Sequence, residues 1–269
     1  MIEPLRLLAD IGNTRVHFGL ARGTQILGRV DLPGEVAGDS LRRVLEELVG
    51  GEELSSVTVA SVQPARAAAI ASAIDADFGM SAVLVQRYDQ VPIRLDLERP
   101  ETVGVDRLLN ALAAWRTARG AHIILDFGSA LTVDLVDAAG VFRGGAIAPG
   151  APLLAQALRS GTALLPLVEL GEEPPVLGRN TEQAIKAGVF HGLVGAARQL
   201  LLGILEHAAD ATVWATGGDA GRLAPHVAGI HRVAPELTLQ GLAWVASGGG
   251  DRRESWGEAG PRDAGQAAR

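Results

Sequence analysis

Residues 5–9 read as a strand whose apolar run, Leu7-Leu8-Ala9, stops on an aspartate, Asp10, with Gly12, Asn13 and Thr14 close behind. From Arg15 to Ala21 the pattern alternates, with Val16, Phe18 and Leu20 on one side. Gln25 to Val30 reads as a third strand, entered through the turn Arg22-Gly23-Thr24. Leu41, Val44, Leu45 and Leu48 then recur at helical spacing behind a cap at Asp39 or Ser40. A strand over 57–62, a helix from Pro64 to Phe78, a strand over 82–86 and a helix over 105–119 complete the first half. The last of these carries a stripe of Val105, Leu108, Leu109 and Leu112.

The same order then restarts. Strands are predicted over 122–125, 131–136 and 141–148, and a short helix follows Pro149-Gly150. A proline-containing loop spans 166–178, and a long helix runs from Thr181 to Ala208. A strand over 212–216, a Gly217-Gly218-Asp219 turn and a helix over 237–246 follow. Two successions of three hairpin-connected strands, each followed by helices and further strands, predict an α/β protein with two mixed-sheet halves facing a cleft. The expected division is 1–118 and 119–247. The glycine-rich, charged stretch from 248 to 269 reads as a disordered tail.

Composition narrows the chemistry. Of 269 residues, 48% are apolar and 4% aromatic, which suits close helix-on-sheet packing. A formal charge of −7 argues against nucleic acid or an anionic membrane as partner. There is no cysteine, so thiolate catalysis and Cys-ligated zinc are excluded. No basic-then-apolar leader is visible, and no apolar run is expected to approach the roughly 18 residues of a spanning helix. The expected location is the cytoplasm.

The chemistry-bearing residues sit at the strand ends. In each half an apolar strand ends on Asp-x-Gly: Asp10-Ile11-Gly12 and Asp126-Phe127-Gly128. Glycine lets a ligand approach the backbone. The following Asn13, Thr14, Ser129 and Thr132 supply donors of the kind a phosphate chain needs. Either carboxylate could bridge to a divalent cation. One such turn is ordinary turn chemistry; two in equivalent places predict a nucleoside triphosphate held between them. No Walker-type or Rossmann-type glycine pattern competes. Gly104-Val105-Asp106-Arg107 opens a helix. Asp106 is either a first-turn acid favoured by the helix dipole or a base for a substrate hydroxyl. "TGGD" at 216–219 would let a flat base or ribose lie on the backbone.

With "DIGNT" at 10–14, "GVDR" at 104–107, "DFGSALT" at 126–132, "GRNT" at 178–181 and "TGGD" at 216–219 in this order, the chain resembles the type III pantothenate kinases, of the acetate and sugar kinase, heat-shock and actin superfamily. The resemblance implies two ribonuclease-H-like (actin-like ATPase) domains flanking an ATP cleft, and a homodimer with the substrate pocket at its interface. It implies ATP-dependent phosphorylation of pantothenate, the first step of coenzyme A biosynthesis. It places ATP along Asp10, Ile11, Gly12, Asn13, Thr14, Arg15, Val16 and His17, with Ser129, and puts Mg²⁺ near Asp10. Asp126 would bind a monovalent cation, potassium or ammonium. Pantothenate would meet Leu97, Gly104, Val105, Asp106, Arg107 and Thr181, with Asp106 as general base. Arg107 would either hold the substrate carboxylate or orient Asp106. The family usually has Thr where Ser129 stands, so a hydroxyl is retained. It usually has an aromatic, most often Tyr, where Leu97 stands, so a hydroxyl contact is lost. The alternatives are a kinase for another small hydroxylated acid or sugar, and a non-catalytic, transcriptional activator-like homologue.

Overall fold

The computed structural model describes residues 3–36 and 38–248; the expected tail lies, apart from Gly248, outside the described residues. The first half begins with the meander β1 (Leu5–Ile11), β2 (Arg15–Arg22) and β3 (Gln25–Pro33). It continues through α1 (Gly38–Val49), β4 (Ser56–Ser61), α2 (Pro64–Phe78) and β5 (Ala82–Val85). α2 keeps its predicted bounds because Pro64 starts it and Gly79, at φ 64°, closes it in the left-handed region. A short strand, β6 (Arg94–Leu95), and α3 (Val105–Thr117) follow. The second half repeats the meander as β7 (His122–Phe127), β8 (Ala130–Val136) and β9 (Val141–Pro149). It then adds α4 (Ala151–Gly161), α5 (Thr181–Leu205), β10 (Thr212–Thr216), α6 (Ala220–Leu223), β11 (Arg232–Val233) and α7 (Leu237–Ala246).

The two sheets share one topology. The first is ordered β3-β2-β1-β4-β5, with β1 antiparallel to β2 and parallel to β4. The second is ordered β11-β10-β7-β8-β9-β6, with β7 antiparallel to β8 and parallel to β10. β6, from before the expected division at 118, pairs with β9 of the second sheet. α7, from the last described segment, packs on α3 and on β1 of the first. The halves therefore exchange elements across that division.

Layering follows from strand alternation. Leu7, Ala9 and Ile11 face α1 and α2, while Leu8 faces the central layer of α3 and α7. In the second sheet Ile123, Leu125 and Phe127 face the outer helices, while Ile124 faces the central layer. By the same parity Asp10 follows Leu8, and Asp126 follows Ile124, onto the inner faces. β1 and β7 both run past their aspartates, two residues further than the apolar pattern suggests, because the hairpin ladders continue through Asp10↔His17 and Asp126↔Thr132.

α3 is buried on nearly every side, Leu108 to Trp115 without a break, because it lies between two sheets rather than on one. Its contact with α7 is close: a Cβ on Gly241 would come 2.1 Å from the Leu109 carbonyl oxygen. α5 is 25 residues long and holds an 18-residue stretch of mean hydropathy 1.4, long and apolar enough by length and composition to cross a membrane. This departs from the expectation that no run comes near that. Ile185, Val189, Phe190, Leu193, Ala197 and Leu201 of α5 are buried in the core of the second half, which accounts for the apolar composition.

His122, at the start of β7, ties α3 to β10. Its Nε2 donates to the Ala118 carbonyl at 2.9 Å and its Nδ1 accepts from the Trp214 indole at 3.0 Å. Only a neutral ring can do both. Burial lowers its pKa below 6.5, the Ala118 bond opposes this, and Arg232 adds to it. The unfolded chain takes up a proton below that value and the folded ring resists it. Stability is therefore full above pH 6.5 and falls as pH drops toward the lowered folded pKa. We expect a loss of about 1 kcal/mol between pH 7.5 and 5.5 that His122→Gln removes, measured by urea unfolding.

Candidate active site

The two acidic turns meet. Gly12 N–H bonds the Arg15 carbonyl at 3.0 Å, and Gly128 N–H bonds the Ala130 carbonyl at 3.0 Å, so each turn glycine closes onto the first residue of the next strand, the second turn being one residue shorter. The hydroxyls of Thr14 and Ser129 share a hydrogen bond of 2.7 Å across the gap. Behind the first loop, Arg66 donates to the carbonyls of Gly12 and Asn13, each at 3.2 Å. Between the loops opens a cleft of about 670 Å³, also lined by Asp106, Thr216–Asp219, Ala151, Pro152, Ala155, Gln156 and residues 167–170. Asp10 to Arg15, His17, Asp106, Asp126 and Ser129 all line it.

The remaining expected site residues lie elsewhere. Val16 is fully buried in the outer core of the first half, and Val105 is buried. Leu97 packs against the central core, close to Gly144. Thr181 is exposed at the start of α5, next to its cap Asn180. Gly104 precedes α3, where a Cβ would stand 2.4 Å from Asp106 Oδ1; the missing side chain lets the carboxylate fold back. That oxygen accepts from the Arg107 backbone N–H at 2.9 Å.

Arg107 itself is engaged. Its Nε donates to both oxygens of Asp134, at 3.0 and 3.1 Å, and its Nη2 also bonds Oδ1. Thr132 donates to Asp134 at 3.0 Å, and the guanidinium lies 5.6 Å from the Phe142 ring centroid. The guanidinium thus serves Asp134, while Asp106 is held by the Arg107 main chain. Asp134 was not singled out from sequence. Its signal is a carboxylate in mid-strand, "LTVDLV", on the inner face shared by Thr132 and Val136.

Asn110 and Thr238 were missed as well. Asn110 is the one polar residue in "LLNALAAW" and is 2% exposed. A buried amide needs partners. Its Nδ2 donates to Asp126 Oδ2 at 3.0 Å, and its Oδ1 accepts from Thr238 Oγ1 at 2.8 Å. On β3, Arg29 lines the cleft, forks onto Asp31 at 2.6 Å and bonds the Pro235 carbonyl. His17 also bonds Asp31, at 2.7 Å.

Four carboxylates thus crowd the inner faces. Burial, then the charges of Asp106 and Asp126, push Asp10 up to about 8, with Arg29 opposing. Burial and Asp106 push Asp126 up to about 7, with the Asn110 bond opposing. Burial raises Asp106 and Asp134 too, and Arg107 opposes both shifts. Each charge is costly to its neighbours, which favours bound cations, and the donors are hard oxygens suited to Mg²⁺ or K⁺. Among the described residues no three acidic or histidine side chains converge as a metal-ligand set. A cation here would take one or two carboxylates and complete its shell with phosphate oxygens and water, the usual habit of Mg²⁺.

A repeated five-strand core, a central helical layer and a cleft between paired acidic turns make up the two-domain α/β fold of the actin-like ATPases. Solved structures agree on the fold. The ethanolamine utilization protein EutJ from Carboxydothermus hydrogenoformans matches with TM-score 0.52 at 14% identity, covering 90% of each chain. The activator of the 2-hydroxyisocaproyl-CoA dehydratase from Clostridium difficile matches with TM-score 0.50 at 13% identity, covering 90% of this chain and 93% of that one. The chain belongs to the type III pantothenate kinase family, whose model matches residues 6–202. Proteins named type III pantothenate kinase are 36% identical in Syntrophotalea carbinolica, over 88% of this chain and 96% of that protein, and 33% identical in Moorella thermoacetica, over 89% and 97%.

Proposed function

We propose that this chain transfers the γ-phosphoryl group of ATP to the primary hydroxyl of pantothenate, yielding 4′-phosphopantothenate for coenzyme A biosynthesis. The observation that carries this reading is the Thr14–Ser129 contact, which joins the two turns over a cleft that Asp106 also lines. Backbone and hydroxyl donors of residues 10–17 and Ser129 would cradle the phosphates. Asp106 takes the hydroxyl proton as the oxygen attacks phosphorus, and ADP leaves. Asp10 would hold Mg²⁺ and Asp126 a monovalent cation; when bound, these neutralise charge on the phosphates. Gly104 would meet pantothenate through its backbone beside Asp106, while the side chains of Val105 and Leu97 stay in the packed interior and Arg107 stays paired with Asp134.

Thr181 lies outside the lining of its own chain's cleft, and this supports a pocket completed by a second copy. Leu164, Val176 and Leu177 are 91%, 76% and 81% exposed in the segment leading to Thr181. Ile147 on β9 and Leu153 on α4 are exposed as well. A homodimer would cover them. We place the protein in the cytoplasm, away from nucleic acid and membrane, in keeping with its acidic balance.

Coupled ADP release tests the reaction. Release is expected to require pantothenate and to run faster in potassium or ammonium than in sodium. Turnover on another hydroxylated acid or a sugar, with none on pantothenate, would overturn the substrate, and equal rates in the two buffers would overturn the monovalent cation.

A further inference from the structure

Asp126 is gripped from behind. Its Oδ2 accepts from Asn110 of α3, and Asn110 in turn accepts from Thr238 in the first turn of α7. Its Oδ1 receives no hydrogen bond among the described residues and points to where the glycine turns converge. A Cβ on Gly217 would stand 2.4 Å from it, and one on Gly128 3.3 Å. One oxygen is thus tied to the central helices and the other is presented to the cleft. Asn110 has a fixed orientation because Thr238 donates to its carbonyl, which turns the amide nitrogen toward Asp126. Without the Thr238 hydroxyl, the amide can flip and set its oxygen against the carboxylate.

We infer that Thr238 and Asn110 are positioning residues for the cation held at Asp126, so that the seat of the last helix on α3 sets cation affinity in the cleft. This rests on the reading of Asp126 as a cation ligand. Thr238 is 128 residues from Asn110 in sequence, on the opposite helix of the central layer. Cation binding and the α3–α7 contact are linked as a consequence: a cation that orders Asp126 also orders the join between helices that serve different sheets. Metal ligands are commonly oriented by such outer partners, whose loss costs about 10–100-fold in affinity.

The test uses Thr238→Val, which keeps the shape and removes the hydroxyl, and Thr238→Ser, which restores it. The first readout is the rise in melting temperature on titrating KCl into the protein without substrates, at ionic strength held constant with choline chloride. The second is the potassium concentration for half-maximal ADP release, set against kcat at saturating potassium. Thr238→Val is expected to raise both half-saturation values about tenfold or more, with kcat at saturation largely recovered, and Thr238→Ser to behave as wild type. A lower melting temperature with unchanged half-saturation would make Thr238 merely structural and overturn the inference, leaving Asp126 in place. If neither potassium titration responds in wild type, and Asp126→Asn changes neither, the reading of Asp126 falls and takes the inference with it.

Discussion

Asp106→Asn is expected to lower kcat by about 10²–10⁴-fold, with nucleotide affinity held within about twofold. The amide has the same shape and can still accept from the Arg107 N–H, so α3 begins as before. It cannot take a proton. Burial raises the pKa of Asp106, which brings the base nearer to working pH and strengthens its hold on the proton it must accept. The substitution also removes a charge that pushes Asp10 and Asp126 upward. The variant should therefore melt higher than wild type at pH 8 without added cations. Activity and stability would move in opposite directions at one residue, as expected where a site stores repulsion for use. Single-turnover kinetics and a melting curve check both halves. Near-normal turnover would remove Asp106 from the chemistry.

Asp134→Ala is expected to cost about 3–5 kcal/mol of folding stability, because it strands the Arg107 guanidinium in the interior. Asp134 is 2% exposed and the side chain of Arg107 15%, so solvent does little to compensate either charge. The paired replacement Arg107→Met with Asp134→Leu should recover most of that loss, since a buried ion pair is weak evidence of net stabilisation. Urea unfolding measures the cycle. The KM for pantothenate in the stable double variant separates the two sequence-based roles of Arg107. A KM close to wild type limits it to scaffolding; a large rise means that the guanidinium also meets the substrate.

Much of this architecture was legible in the chain. Alternation in β1–β2 and β7–β8, broken by Asp-x-Gly, gave both hairpins, and Pro64 and Gly79 bounded α2. Parity along the strands also fixes which face Asp10 and Asp126 occupy, once Leu8 and Ile124 are known to face the central layer. β6 and β11 were not legible, because two residues carry no periodicity. Asn110, Asp134 and Thr238 each have a mild local signal, a polar residue among apolar ones. Their partners lie 16, 27 and 128 residues away, and only folding brings them together. Leu97, Val16 and Thr181 show the converse. A motif position names a residue, and the packing decides where its side chain points.

The placement of α7 bears on how the protein is made. Leu237, Leu239 and Leu242 are buried beside Leu8 and Ala21, residues that leave the ribosome more than two hundred positions earlier. A nascent first half must keep that apolar surface uncovered until α7 has been made, open to chaperones and to aggregation. Truncation just ahead of α7 should then unravel both halves, since this helix seals strands made more than two hundred residues before it.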